Sequence, residues 1–473
     1  MTAVGTLMLS GTVQAADLLT VTRDALLNDA TLASAQATYR GVEAGRGVQR
    51  GALLPQISLA AEAAHNRAYS SQSVAGASAG TGTAGITALD DNYNSAGLTL
   101  EASQALFNAS RWYELERADR QLNQQEFSLQ ATEQQLLFDA ASAYFEILRA
   151  SDILEARQAQ ERAIERQLSQ SRQQFEVGLI AITEVDEAEA VYDLARAERI
   201  AAQSDLQVSF EALERLTGLR YPNIDGLTGE LPIEPPQPAD RDQWVEMAMI
   251  HSPLLLLAQA GVEISRSDVD IARAQRMPIL EAFAAYQYAD SDSDVIEGHD
   301  SASQVGMRAS LPLYTGGATS ASINQSTFVL ESTQYDAEAQ RRDTVQQVRS
   351  LFTRVSNDVE TVEARRQAVV SNQSALNAAR SGYEVGTRNI VDVLNAEQNL
   401  YDAISAHANA RYDYVLNLLG LRQQAGTLDV EAITAVNEWL SDEASVSLEL
   451  PEASSDSRYD AALDIGARPQ PRQ

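Results

Sequence analysis

The side chains that most often carry catalysis or metal binding are sparse in this sequence. Its histidines lie far apart, without the short spacing of a zinc site: His65, His251, His299 and His407. The chain has no cysteine, which excludes thiolate metal sites, disulfides and cysteine nucleophiles. It also has no lysine and therefore no phosphate-binding loop of the Gly-Lys type. We predict no enzyme activity, no metal site and no cofactor.

An acidic run is the nearest approach to a metal-binding motif. Asp290, Asp292 and Asp294 have the spacing of the first three ligands of a calcium-binding loop. Such a loop needs a glycine at its sixth position and a glutamate at its twelfth, where this chain has Val295 and Ser301. We interpret the run as a solvated acidic loop without a metal ion.

The overall charge argues against nucleic-acid binding. The 473 residues include 35 Lys+Arg and 66 Asp+Glu, which gives a formal net charge of −31. Nucleic-acid binding requires a basic surface, so we expect no nucleic-acid partner. No stretch approaches the roughly 18 consecutive apolar residues of a membrane-spanning helix, so any crossing of a membrane must use strands.

The first residues, 1–16, have the pattern of the end of a secretory signal. An apolar run closes on Val13-Gln14-Ala15, which places small residues at a cleavage site. We therefore expect mature protein from Ala16 or Asp17. No arginine precedes Arg23, so the basic start of a signal is missing and a frayed terminus is the alternative.

The chain contains an internal repeat. Phe175-Glu176-Val177-Gly178 recurs 208 residues later as Tyr383-Glu384-Val385-Gly386. Each copy predicts a helix, two alternating segments around a polar loop, a very long helix and a return helix. The predicted divisions are a first repeat at 17–220, a proline-rich linker at 221–240, a second repeat at 241–440 and a disordered acidic tail at 441–473.

Proline and glycine set the expected helix ends. The first helix of each copy, at 18–53 or 240–276, ends before Pro55 or Pro278 because proline lacks a donor and clashes within a helix. We expect the return helices to end at Gly218 and Gly420.

The long helices follow a heptad pattern typical of coiled coils. Their seam in the second copy consists of Val345, Val348, Phe352, Val355, Val359 and Val362. A helix over 108–175 is about 100 Å long, as long as the helices at 18–53 and 182–217 laid end to end. We expect each long helix to pair with two shorter ones; an ordinary bundle core has the same periodicity and is the alternative.

Four segments alternate apolar and polar residues as strands do: 56–69, 95–107, 279–289 and 304–314. An apolar face backed by a polar face is typical of transmembrane strands around water. Four strands cannot close a barrel, and lipid does not tolerate an unpaired sheet edge, so spanning requires an oligomer. Two soluble hairpins with one wet face are the alternative.

The second turn and the helix after it closely resemble the TolC family. The matching run is Gly382-Tyr383-Glu384-Val385-Gly386-Thr387-Arg388-Asn389-Ile390-Val391-Asp392-Val393-Leu394-Asn395, followed by Leu400-Tyr401 and Asn409-Ala410-Arg411-Tyr412. The first turn matches over 175–185, and the resemblance covers about 18–440. It implies a mainly α fold: a long α-helical barrel of coiled-coil helices, with four β-strands per chain that complete a 12-stranded transmembrane barrel in a trimer.

The resemblance also implies a function. The implied function is that of a passive exit duct in the bacterial outer membrane, which extends into the periplasm and serves tripartite efflux pumps or type I protein secretion. The implied partners are two further copies of the chain, outer-membrane lipid, a periplasmic adaptor (membrane fusion) protein and an inner-membrane RND-type or ABC-type transporter. A soluble periplasmic coiled-coil structural or adaptor protein is the alternative. The exported substrate is not indicated.

A periplasmic gate held by contacts between the two turns is a further implication. The matching residues are Thr183 and Glu184 in the first turn and Tyr383 and Arg388 in the second.

Family members also place two acidic rings just inside the pore entrance. Asp392 matches the first ring, whereas Asn395 stands where the second acid is expected. We therefore expect weaker cation selectivity than with two charged rings. The alternative interpretation is that Asp392 and Arg388 are solvated charges near a helix start. An acidic side chain is favourable there in any case.

Overall fold

The computed structural model describes residues 15–74, 85–227, 231–293 and 297–447. Most of the predicted signal at 1–16, Asp294 of the acidic run and the predicted tail beyond Ser447 lie outside the described residues. The elements follow in chain order as α1 Leu18–Asn28, α2 Ala30–Gly51, β1 Gln56–Val74, β2 Gly85–Phe107, α3 Ala109–Glu176, α4 Ile182–Thr217, β3 Asn223–Leu227, α5 Arg241–His251, α6 Pro253–Ala274, β4 Ile279–Asp292, β5 Glu297–Ser310, α7 Ala318–Glu384, α8 Ile390–Gln424, α9 Val430–Asn437 and β6 Leu440–Ser447.

The described residues divide into two compact units. The strand unit consists of residues from Ser34–Ala131 and Pro253–Asp343. The helical unit consists of residues from Met1–Ala33, Thr132–Ser252 and Thr344–Gln473. The long helices α3 and α7, of 68 and 67 residues, contribute to both units.

The strand unit contains an antiparallel sheet in the order β1-β2-β4-β5. Its register places Leu59 beside Leu100 and Leu100 beside Tyr286, so that apolar side chains share one face. The large apolar residues exposed on this face are Ile57, Leu59, Tyr69, Leu98, Leu100, Tyr286, Tyr288, Val305 and Met307. The opposite face carries Glu101, Glu281 and Arg308. The sheet therefore has the alternation that the four segments predict.

The strand bounds differ from the prediction. The fourth strand is Glu297–Ser310 rather than 304–314, and Pro312, which has no N–H to donate to the ladder, lies beyond it. The interpretation of Asp290 and Asp292 as loop residues is wrong, because both belong to β4. The Asp292 carboxylate accepts hydrogen bonds from the backbone N–H and the side-chain amide of Asn94 on the neighbouring strand.

The helices of the strand unit follow the same order as its strands. Neighbouring helices are joined by the pairs Arg46–Asp119 between α2 and α3, Arg117–Asp268 between α3 and α6, and Ser265–Thr333 between α6 and α7. The helix order is therefore α2-α3-α6-α7, which places α2 and α7 at its two ends.

The single helix predicted at the start of each repeat is wrong, because each copy contains two helices. Asp29 separates α1 from α2 in an extended conformation (φ −62°, ψ 127°), and its carboxylate caps the Leu32 N–H at 2.7 Å. Ser252 separates α5 from α6 in the second copy, since Pro253 disfavours a helical residue before it. Proline is well placed at the first position of the new helix.

The core of the helical unit joins residues from both repeats. Its largest fully buried side chains include Tyr144 and Phe145 on α3, with Tyr412 on α8. Gly218 ends α4 with a positive φ of 67°, as predicted. Gly420 does not end α8, which continues to Gln424. A Cβ at Gly420 would lie 3.6 Å from the Phe138 ring, an ordinary van der Waals distance, so neither a helix end nor close packing requires glycine there.

Two segments predicted to be irregular form a small sheet. β3, from the predicted linker at 221–240, pairs antiparallel with β6, from the start of the predicted tail at 441–473. The prediction of disorder is therefore wrong for residues 441–447. Ile224, which is fully buried, pairs with Val446, and the Tyr144 hydroxyl donates to the carbonyl of Asp225 at 2.6 Å.

No single helix within the described ranges is both long and apolar enough to cross a bilayer. The helices α5 and α6 meet that test only when they are taken together as a pair broken at Ser252.

Candidate functional site

The two repeated turns close in the same way. Gly178 has φ 74°, and its N–H donates to the carbonyl of Phe175 at 2.8 Å while the Leu179 N–H donates to Gln174 at 2.9 Å. Gly386 has φ 76° and repeats this pair of bonds with Tyr383 at 3.0 Å and, through the next N–H, Gly382 at 2.9 Å. This is the hydrogen-bond pattern of a Schellman cap, which favours glycine because its left-handed backbone strains other residues.

The helices that follow the two turns start differently. α4 begins after Ala181, which offers no side-chain cap. α8 begins after Asn389, whose side-chain oxygen accepts from the Asp392 N–H at 2.8 Å, while the Asp392 carboxylate accepts from the Asn389 N–H at 3.2 Å. This reciprocal capping box satisfies two donors that the helix start otherwise leaves open. Asp392 therefore has a structural task besides any role in a pore.

A hydrogen bond connects the second turn with the end of α3. The Tyr383 hydroxyl donates to Oε1 of Gln174 at 2.8 Å. Burial, and then the charge of nearby Glu184, raise the pKa of Tyr383, so its hydroxyl keeps its proton. The sequence predicted Glu184 as a partner of this turn but did not predict Gln174. Gln174 lies just before the repeated motif, and nothing in the sequence pattern distinguishes it from Gln173.

Not every predicted gate residue meets a partner within the chain. Thr183 is exposed and Glu184 is half-buried at the start of α4. The stem of Arg388 lies against Gly382, where an added Cβ would come within 3.0 Å of Cγ. The exposed guanidinium of Arg388 forms no ion pair with any part of the chain that the structure describes.

Asp392 and Asn395 share one exposed face of α8, three residues apart. The opposite face of the same turn buries Val393 and Leu394 in two apolar clusters. One of them joins α3, α4 and α8, three of the four helices around the turns: Ile164, Leu168, Val185, Ala188, Ala195, Ile390 and Leu394. The two exposed side chains therefore project from a well-packed helix start.

An ion pair between a buried glutamate and an exposed arginine connects α7 with α8 near the second turn. Glu397 is 1% exposed, and its Oε1 accepts from Nη2 of Arg380 at 2.6 Å. Within the described residues its second oxygen, Oε2, is buried without a hydrogen-bond partner. The apolar neighbours of this pair are Leu376, Ala379, Val393 and Leu400. The sequence did not predict the pair, because Glu397 reads there as one more charge on a helix.

Within the described ranges, no group of three or more His, Asp or Glu side chains could hold a metal ion. The turns therefore offer hydrogen bonds, charges and packing, which can hold a passage closed or open.

Comparison with known proteins decides the family. The model of the outer membrane efflux protein family matches residues 21–219 and 244–427, one range in each repeat. The chain belongs to the outer membrane efflux protein family. It is 34% identical over 442 residues to the outer membrane protein TolC of Vibrio cholerae, across 93% of this chain and 96% of that protein. It is 30% identical over 400 residues to the alkaline protease secretion protein AprF of Pseudomonas aeruginosa, across 83% and 82% of the two chains.

Solved structures of outer-membrane channels share the fold of this efflux-family chain. The CmeC outer membrane channel of Campylobacter jejuni matches with a TM-score of 0.72 at 16% identity, over 89% of each chain. The outer membrane protein VceC of Vibrio cholerae matches with a TM-score of 0.67 at 22% identity, over 87% of this chain and 97% of that one.

Membership of the outer membrane efflux protein family confirms the expected location and activity class. The protein lies in the outer membrane and extends into the periplasm, as an exit duct for efflux and type I secretion and not as an enzyme. The alternative of a soluble periplasmic coiled-coil protein is not favoured.

Proposed function

We propose that three copies of this chain assemble into a passive duct whose periplasmic end is closed by contacts between the two repeated turns. The observation that carries the proposal is a four-stranded sheet with an apolar face and two edges, β1 and β5. In a membrane the backbone groups of those edges have no water to pair with, so each edge needs a partner strand. Three copies supply twelve strands, enough for a closed barrel.

The mass of the detergent-extracted protein tests this assembly. We expect outer-membrane fractions to yield a trimer that resists dodecyl sulfate at room temperature and separates into monomers on heating. A monomer in native mass spectrometry, or protein recovered only from the soluble fraction, would contradict the proposal.

The gate is proposed to rest first on Tyr383 and Gln174. Their hydrogen bond holds the end of α7 to the end of α3 within one copy. Arg388, which is exposed, and the half-buried Thr183–Glu184 pair remain candidates for contacts between neighbouring copies, because opposite charges attract where the turns of two copies converge. Breaking either set of contacts is expected to widen the entrance.

The pore entrance is proposed to carry one acidic ring, at Asp392, with a neutral ring at Asn395. Three like charges near one axis repel one another and attract cations. With a single charged ring, cation selectivity is expected to be present but moderate.

The proposed partners are a periplasmic adaptor protein and an inner-membrane transporter of the RND or ABC type. Relatives of this chain are named both for protein secretion and for efflux, which supports both kinds of transporter. The test is expression in a bacterium that lacks its own exit duct, followed by measurement of drug sensitivity and of secreted protein. If a correctly inserted trimer restores neither drug resistance nor protein secretion, the proposal of these partners is contradicted.

A further inference from the structure

In the strand unit, each edge strand of the sheet is connected to one of the two end helices. β1 and β5 are the edges of the sheet, α2 leads into β1, and α7 follows β5. The helix order α2-α3-α6-α7 ends at the same two places. If β5 of one copy pairs with β1 of the next, α7 of the first copy therefore comes to lie beside α2 of the second.

The side of α2 that faces away from its own chain is lined with small residues. This furrow consists of Ser34, Ala37, Gly41, Ala44 and Gly45, all exposed. A Cβ added at Gly41 or Gly45 would meet no atom within 4 Å. At 3.6 residues per turn, Arg46, which pairs with Asp119 on α3, lies about 140° around the helix from Gly41. The furrow is therefore turned away from α3.

α7 carries the complementary feature, a ridge of two aromatic side chains. Phe328 and Tyr335 are 69% and 68% exposed, although large apolar rings are normally buried. They are seven residues apart and so share one side of the helix. Thr333, which contacts Ser265 on α6 at 3.0 Å, lies about 140° around the helix from Phe328. The ridge therefore faces away from its own chain as well.

The ridge and the furrow lie at equal distances, counted in residues, from the helix ends that adjoin the sheet. Phe328 lies ten residues after the start of α7 at Ala318, and Gly41 lies ten residues before the end of α2 at Gly51. By the same count Tyr335 is level with Ser34. Because α2 runs toward the sheet and α7 runs away from it, a contact in this register would set each large ring against a small residue.

A pair of opposite charges lies close to the same position, since Arg40 is two residues, or about 3 Å of helix, from being level with Glu331 by the same count. Arg40 lies beside Gly41 on α2, and Glu331 follows Phe328 by one turn of α7. Both are exposed, and with the helices antiparallel they fall on the same flank of the contact.

We propose that the α7 ridge of one copy packs into the α2 furrow of a second copy, with Phe328 against Gly41, Tyr335 against Ser34 and Arg40 paired with Glu331. The inference rests on the proposed trimer and adds the helical contact that fixes it. The contact joins two different surfaces head to tail, and three such contacts close a ring.

Cysteine cross-linking tests the contact cleanly because the natural chain has no cysteine. The double variant Gly41→Cys/Phe328→Cys is oxidised in outer-membrane fractions and run on a denaturing gel. Facing glycine and aromatic positions on packed helices come within disulfide reach, so we expect most of the monomer to shift to covalent dimer and trimer. The matched control is Gly47→Cys/Phe328→Cys, since Gly47 is equally open but lies on another side of α2. Equal cross-linking of both pairs would overturn the proposal.

A charge exchange keeps the test informative if the cysteine variants fold poorly. Arg40→Glu and Glu331→Arg are each expected to lower the temperature at which the trimer separates, and the double variant to restore it. If both single variants and the double variant separate at the same temperature as the parent, the proposed contact is overturned. A trimer that persists without cross-linking or charge coupling refutes this contact alone, whereas a monomeric parent protein refutes the proposed assembly itself.

Discussion

The Tyr383 hydroxyl donates a 2.8 Å hydrogen bond to Oε1 of Gln174, and so joins the last turn of α7 to the last turn of α3. Both helices end in glycine turns that lie next to these residues. A neutral hydrogen bond contributes about 1 kcal/mol, small enough to break during opening and large enough to bias the closed form.

Replacing the tyrosine should favour the open entrance. Tyr383→Phe removes the donor, and a loss of about 1 kcal/mol per chain shifts the balance roughly fivefold toward the open form. Single-channel conductance in planar bilayers measures this shift. If the bond is the cause, Gln174→Leu has the same effect and the double variant adds little to either single change.

Tyr401→Phe serves as the matched control for that variant. Tyr401 lies on α8 and is partly buried, but it is not part of the Tyr383–Gln174 bond. Its replacement should leave conductance unchanged. A Tyr383→Phe channel that conducts like the parent would argue against the bond as a gate contact.

A second acid at the entrance should raise cation selectivity. Asn395→Asp places a carboxylate on the same exposed face as Asp392, three residues further along α8. Neighbouring charges at a narrow entrance attract cations more strongly than one ring does. Reversal potentials in a salt gradient should move toward the cation value, and an unchanged potential would show that this face does not line the pore.

The reverse change, Asp392→Asn, is a poorer probe of the pore. The Asp392 carboxylate also accepts the Asn389 N–H in the capping box. An asparagine oxygen can still accept that N–H, but the change removes the negative charge that a helix start favours, which weakens the helix by about 0.3–1 kcal/mol. Asn395 has no role in that cap, which makes its substitution the cleaner measurement.

The repeat, the long helices and the sheet alternation were readable from the sequence because each follows a period that burial imposes. α4 runs over Ile182–Thr217, as its glycine boundary predicted. The break at Asp29 was not readable, since a single side-chain cap within an apolar-periodic run leaves the period unchanged.

The features that the sequence did not predict are mainly contacts between segments far apart in the chain. The pairing of Ile224 with Val446 joins residues far apart in short, weakly patterned segments, so neither predicts its partner. Gln174 and Glu397 were missed for the same reason, because their importance comes from what faces them in three dimensions. All the predicted site roles stay predictions: those of Thr183, Glu184, Tyr383 and Arg388 in the gate, and those of Asp392 and Asn395 in the pore entrance.

The ion pair between Arg380 and the buried Glu397 should be sensitive to loss of the arginine. Arg380→Leu leaves the Glu397 carboxylate buried without its cation, which we expect to cost about 2 kcal/mol because Arg380 itself is partly exposed. Thermal unfolding measures the effect. The double variant Arg380→Leu/Glu397→Leu removes both charges and should recover most of the loss, since a hydrophobic pair can replace a buried ion pair. A double variant less stable than the single would contradict this account.

The small sheet should depend on β6 but not on the residues after it. A chain that stops before Leu440 loses the strand that pairs with β3 and uncovers Ile224, whose burial contributes about 2 kcal/mol. Its trimer should unfold at a lower temperature than the parent. The matched control stops after Ser447, keeps the whole of β6 and should unfold like the parent. Equal losses in both truncations would show that the stabilising contact lies beyond Ser447, and equal stability in both would show that β6 contributes nothing.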